Sequence, residues 1–132
     1  NKKLNRSEFM PFAPISLEQY ASKLYKGINK NFVPSKFMTM TYDCTRKMIN
    51  ESPAACHIDG TARPQIVSKL SNKIIFNILN EYYKYSKIPT LINTSFNMHE
   101  EPIVESPNDA IRAFISSKID YLYIGKYIVR NK

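Results

Sequence analysis

The chain has 132 residues, 43% of them apolar and 23% charged, with only 3 Gly, which suits one ordinary globular domain and excludes fibrous or low-complexity classes. No run of about 18 apolar residues is present, so no membrane-spanning helix is expected. A net charge of +8 favours anionic partners: nucleic acid, phosphorylated small molecules or a membrane surface.

In chain order, residues 1–14 read as a basic entry, with Lys2, Lys3 and Arg6, followed by the extended piece "FMPFAP". Its prolines exclude a helix there. In "SLEQYASKLYKG", Ser16 with Gln19 three residues later forms a capping box, and Gly27 is the stop, so a helix is predicted. Residues 28–36 read as a linker. "FMTMTYD", residues 37–43, alternates and predicts a strand. Residues 44–58 read as loop, with a helical turn at "RKMINE". "ARPQIVS" predicts a strand beginning beside Pro64.

"NKIIFNILNEYYKYSK" is the clearest predicted helix, with Ile75, Ile78, Leu79 and Tyr82 as its buried stripe. "IPTLIN" predicts a strand from Ile88 to Asn93. Ser106 as N-cap, Pro107 at the first helical position and Asp109 in the first turn start a helix running to about Ser117. That helix is expected to bury Ala110, Ile111, Phe114 and Ile115. "YLYIGKYIV" reads as strand, Gly-containing turn or bulge, and strand. Short strands interleaved with helices imply an α/β or α+β class with a mixed sheet, as a single domain.

Cys44 and Cys56 form no CxxC and, with two His, no zinc set. They read as free cytosolic thiols, and no secretory signal argues otherwise. The chain begins at Asn1 in polar sequence, which reads as a piece of something longer.

Three polar clusters could carry chemistry. The first is Lys2, Lys3 and Arg6 ahead of "PFAP". The second is His57, Asp59, Thr61 and Arg63 in "HIDGTARPQIVS". Asp59-Gly60 makes a turn, but a turn requires neither Thr61 nor Arg63. In extended backbone those two point the same way, presenting a hydroxyl and a guanidinium to one anion. An Arg paired to Asp59 at a strand entrance explains the pattern equally well. The third cluster is Asn93, Thr94, Ser95 and Asn97, at the carboxyl end of a strand, where open α/β sheets bind ligands. Asn, Thr and Ser are also ordinary turn residues. No catalytic triad, paired-carboxylate signature, GxxxxGK[ST] loop or GxGxxG is present. The residues alone suggest an anion- or nucleotide-binding domain.

The blocks "NRSEFMPFAP", "HIDGTARPQIV", "PTLINTSFNMHEEPIVESPNDAIRAF" and "DYLYIGKYIV", in that order, resemble the C-terminal domain of the O-carbamoyltransferase family, whose members carbamoylate nodulation factors, cephems and aminoglycosides. The resemblance covers nearly the whole chain. It implies a YrdC-like twisted mixed sheet with flanking helices, spanning residues 1–132. It further implies a cytoplasmic enzyme domain that makes carbamoyl-adenylate from carbamoyl phosphate and ATP with Mg²⁺. A separate Kae1-like (actin-like ATPase) N-terminal domain, carrying its own metal, would transfer the carbamoyl group to a hydroxyl.

Ser95-Phe96-Asn97 matches the SxN motif of YrdC-like domains, and Arg6 falls at the arginine of their KxR motif. The sequence departs from the pattern at Leu4, where the lysine would stand beside Lys3, and at Met10, where many relatives have Arg. The resemblance gives Arg6 and Arg63 the catalytic, phosphate-holding role. Ser95 and Asn97 would hold triphosphate or Mg²⁺-linked oxygens. Lys3, His57, Asp59, Thr61, Asn93 and Thr94 would complete the substrate site, with no metal ligand of its own. Asp59 is expected to orient Arg63. Two other readings are a basic nucleic-acid-binding module, against which stands the absence of any RRM, KH or OB pattern, and a docking domain with a degenerate nucleotide site.

Overall fold

A computed structural model describes residues 12–29, 33–98 and 100–131. They fall in two compact units, one ending at Thr94 and the other beginning at Ser95.

The first unit is organised on a three-stranded sheet in the order β4-β1-β5. β1 is Ala13–Leu17, β4 is Gln65–Val67 and β5 is Thr90–Asn93. β1 runs parallel to β4, with Ile15 opposite Gln65 and Leu17 opposite Val67. It runs antiparallel to β5, with Ala13 opposite Asn93 and Ser16 opposite Thr90. All five β1 residues are buried, as expected of a central strand covered on both faces. Pro14 is tolerated because the ladder to β4 begins only at Ile15.

The capping-box reading of Ser16 is therefore overturned. Ser16 is a fully buried strand residue, and its hydroxyl lies 2.7 Å from the Tyr25 phenol and 2.9 Å from the Thr90 hydroxyl. The three hydroxyls satisfy one another where water cannot reach. The helix that follows shrinks to a 3-10 turn, Glu18–Tyr20, and one α-turn, α1, Ala21–Leu24. Burial pushes the Tyr25 phenol well above its usual range, so it stays protonated.

The predicted strand over residues 37–43 is reduced to β2, Tyr42–Asp43. Met38 adopts a left-handed φ of 55°, which interrupts extended backbone, and Phe37 and Met40 are exposed. The predicted turn at "RKMINE" is helix α2, Arg46–Glu51, capped by the Thr45 hydroxyl. "ARPQIVS" is two strands. β3, Thr61–Ala62, pairs with β2, whereas β4 joins the central sheet. The break falls at Arg63-Pro64, where proline offers no N–H to continue a ladder.

α3, Lys73–Ser86, lies within the predicted helix and is capped by the Asn72 side chain. Its packed face is shifted from the predicted one. Leu79 is buried, and Ile75, Phe76 and Tyr83 pack with it against Ile15, Leu17 and Val67. Ile78 and Tyr82 are exposed. A second cluster joins α1, α2 and β3 through Leu24, Tyr25, Cys44, Met48, Ala62 and Ile66.

In the second unit, α4 spans Pro107–Ser117 with the Ser106 hydroxyl as its cap, as the sequence predicts. It buries Ala110, Ala113, Phe114 and Ser117, and leaves Ile111 and Ile115 exposed. Strands β6, Tyr121–Ile124, and β7, Tyr127–Arg130, form a hairpin. Gly125 takes φ +59° in its turn, the conformation glycine allows most readily. The mixed α/β class is as expected.

Candidate functional site

The second cluster is a tight, hydrogen-bonded turn of the first unit. Gly60, at φ +80°, lets the chain reverse. The His57 N–H donates to the Thr61 carbonyl (2.7 Å) and the Gly60 N–H to the His57 carbonyl (3.0 Å). The Cys44 N–H donates to the Gly60 carbonyl (2.9 Å), tying the turn to the end of β2. Inside the turn, Asp59 Oδ1 accepts from both the Thr61 N–H (3.0 Å) and the Thr61 hydroxyl (2.7 Å). His57 Nδ1 lies 3.0 Å from the same Thr61 oxygen.

A hydroxyl has one proton, and Thr61 spends it on Asp59. Its oxygen must then accept from His57, which places a proton on Nδ1. His57 is thereby oriented. Asp59 is occupied by Thr61, and among the described residues no ion pair joins it to Arg63. The Thr61 hydroxyl presents a lone pair rather than a donor to any ligand.

The Thr61 hydrogen bonds are the main reason the Asp59 carboxyl sits below the usual carboxylate range. A depressed native pKa contributes stability that is present above the unfolded-state value and lost as pH falls through the native one. Thr61→Val is therefore expected to raise the Asp59 pKa towards about 3.9 and to remove part of the native state's sensitivity to acid below about pH 4. Carbon-detected NMR titration of the Asp59 carboxyl checks this. An unchanged pKa in Thr61→Val contradicts the assigned donor.

Arg63 follows β3 directly, is exposed and has no hydrogen-bond or ion-pair partner among the described residues. Two residues further on, Gln65 Oε1 accepts from Asn93 Nδ2 at 2.8 Å. This contact spans β1 and brings the start of the third cluster close to the end of the second. Thr94 is exposed. Ser95 and Asn97 belong to the second unit, where they close on each other. The Ser95 hydroxyl donates to Asn97 Oδ1, and Asn97 Nδ2 donates to the carbonyls of Met98 (3.0 Å) and Glu101 (2.9 Å). Phe96 between them accepts from the Val104 N–H at 3.0 Å. Ser95 would have to turn from Asn97 to donate to a ligand. Lys3 and Arg6, with Leu4 and Met10, lie outside the described residues.

Both cysteines are free. Burial is the first cause that pushes the Cys44 thiol up to about 12, and the neighbouring Cys56 sulfur adds to it. Cys56 is half-buried and donates to the Ser52 carbonyl at 3.5 Å. Iodoacetamide at pH 8 is expected to modify Cys56 in the native protein and Cys44 only after denaturation. Peptide mass spectrometry distinguishes the two, and equal labelling contradicts the burial of Cys44.

One feature escaped the sequence reading. A cleft of about 500 Å³ runs between the end of α2 and the α3–β5 edge, lined by residues including Glu51, Pro53, Ala54, Tyr82, Ile88 and Ile92. None of the expected site residues lines it. Its one α3 residue, Tyr82, ends a second apolar row with Ile74 and Ile78 that is easily merged in sequence with the packed row.

A family model described as the carbamoyltransferase C-terminus matches residues 1–131. The chain belongs to that family. Among curated relatives, an uncharacterised protein of Methanocaldococcus jannaschii is 41% identical over 129 residues, which is 98% of this chain and 24% of the relative. Nodulation protein NolO of Bradyrhizobium diazoefficiens is 36% identical over 127 residues, 96% of this chain and 23% of that protein. Nodulation protein NolNO of Sinorhizobium fredii is 33% identical over 129 residues, 96% and 18% respectively. This carbamoyltransferase domain thus spans about a quarter or less of these relatives. Among its described residues no helix is long and apolar enough to cross a membrane. No group of three or more His, Cys, Asp or Glu among them could hold a metal ion.

Proposed function

We propose that this domain is the activating part of an O-carbamoyltransferase and turns carbamoyl phosphate and ATP into carbamoyl-adenylate. The reading rests on membership of the carbamoyltransferase C-terminus family over residues 1–131. Its geometric support is an exposed Arg63, without a partner among the described residues, beside the ordered His57–Thr61 turn, with Asn93 held nearby through Gln65.

The reaction brings two strongly anionic substrates together, and repulsion between them has to be offset by fixed cations. Arg63 suits this role because its planar guanidinium can grip two phosphate oxygens at once. Arg6 and Lys3 are proposed to share this role. The His57–Thr61 turn would set the backbone from which Arg63 extends, and His57 would hydrogen-bond to the ligand through Nε2. Asn93, Thr94, Ser95 and Asn97 would meet the nucleotide phosphates once Ser95 releases Asn97.

In balanced form, water accepts the phosphoryl group of carbamoyl phosphate: a new P–O bond forms, the bridging O–P bond breaks, and carbamate and phosphate result. A carbamate oxygen then attacks the α-phosphorus of ATP, and pyrophosphate leaves. No protein nucleophile is required, and positioning with electrostatic stabilisation supplies the rate. Mg²⁺ would arrive on the nucleotide and screen its charge. A Kae1-like N-terminal domain of the longer chain would then pass the carbamoyl group to a hydroxyl.

The spent Ser95 donor favours a second reading, a docking domain whose nucleotide site is degenerate. One assay separates the two. The full-length enzyme is expected to exchange labelled pyrophosphate into ATP only when carbamoyl phosphate is supplied. A folded enzyme that transfers carbamoyl groups without such exchange would overturn adenylation here.

A further inference from the structure

α3 carries more apolar surface than its own unit covers. At about 100° per residue, Ile75, Phe76, Leu79 and Tyr83 fall on one side and pack on the sheet. Ile74, Ile78 and Tyr82 fall on the adjoining side and remain 58%, 49% and 38% exposed. Lys73, Asn77, Asn80, Glu81 and Lys84 occupy the remaining arc. The apolar arc is therefore roughly 200° wide, about twice what a one-sided surface helix needs. The uncovered half leads through Tyr82 to the 500 Å³ cleft, which Tyr82 and Ile92, itself 49% exposed, both line. Exposed apolar side chains clustered in this way are the usual composition of a contact surface.

We propose that this strip, the outer row of α3 with the adjoining cleft, is the face on which the rest of a full-length carbamoyltransferase chain packs. The choice of occupant follows from two observations. The relatives are at least about four times as long as this chain, so most of the polypeptide able to cover the strip lies elsewhere in the same protein. The strip is apolar in a chain of net charge +8, so it is unsuited to an anionic partner drawn by charge. The proposal rests on family membership and chain length, and holds whether or not the domain adenylates.

The test uses the full-length protein. Benzoylphenylalanine placed at position 78 or 82 is expected to photocrosslink to segments outside these 132 residues. Ile78→Asp is expected to lower Tm by at least about 2 °C, because the charge enters a covered apolar contact. Asn77→Asp, one residue away on the polar arc, is the matched control and should leave Tm in place. Pyrophosphate exchange, measured alongside, reports separately on the adenylation reading. Crosslinks confined to these 132 residues, crosslinks between isotopically distinct copies, or none at all would each overturn the proposal. So would an Ile78→Asp variant as stable as the control.

Discussion

Arg63→Ala is expected to lower carbamoyl-phosphate-dependent pyrophosphate exchange by about two to three orders of magnitude in the full-length enzyme, the usual loss when one preorganised charge-stabilising donor is removed. Stability should barely change. Arg63 is exposed and holds no partner among the described residues, so its removal leaves neither a cavity nor an unpaired acceptor. Arg63→Lys should recover only part of the rate, because a point charge cannot grip two oxygens of one phosphate. A reduction of less than about threefold would remove Arg63 from the phosphate site. A comparable loss of Tm would show that the side chain supports the fold instead.

The second large effect concerns stability. Leu17→Ala is expected to cost about 2–5 kcal/mol, since a fully buried leucine is replaced at the centre of the sheet. Leu17 lies opposite Val67 in the parallel ladder and packs with Ile15, Val67 and Leu79. The lost methyl groups therefore leave a gap between β1 and α3 that neither element can close without breaking the ladder. At roughly 2–8 °C per kcal/mol for domains of this size range, Tm should fall by some 10 °C. Urea denaturation should show a shifted midpoint with an unchanged m-value. A loss below about 1 kcal/mol would mean that the sheet does not pack as described.

The elements read correctly from sequence are those with local signals. Ser106 caps α4 with Pro107 behind it, the periodic stretch from Asn72 forms α3, and Gly125 turns the last hairpin. The misread elements depend on distant partners. Ser16 looks like an N-cap, with Gln19 in the right place. It is instead drawn into β1 by pairing with residues about 50 and 74 positions away, and its hydroxyl is satisfied by Tyr25 and Thr90. Nothing near Ser16 announces those contacts.

The α3 row was misassigned for a related reason. Ile74, Ile75, Ile78 and Leu79 give two overlapping i, i+4 rows, and only the sheet decides which one is packed. At the site, the turn geometry of Asp59-Gly60 was legible. The use of Thr61 as the hydrogen-bond hub between Asp59 and His57 was not, because spacing carries no information about which acceptor wins a hydroxyl proton.

The order of the central sheet also governs when it can form. β1 is encoded first, yet its parallel neighbour ends at Val67 and its antiparallel neighbour at Asn93. During synthesis the segment Ala13–Leu17 must therefore wait, unpaired, until about fifty further residues have been made, and the sheet is complete only after nearly eighty. Such long-range closure slows folding and leaves a sticky segment open meanwhile. Production of this domain should consequently be governed less by its final stability than by how well that early segment is shielded, whether by slower growth at low temperature or by a chaperone.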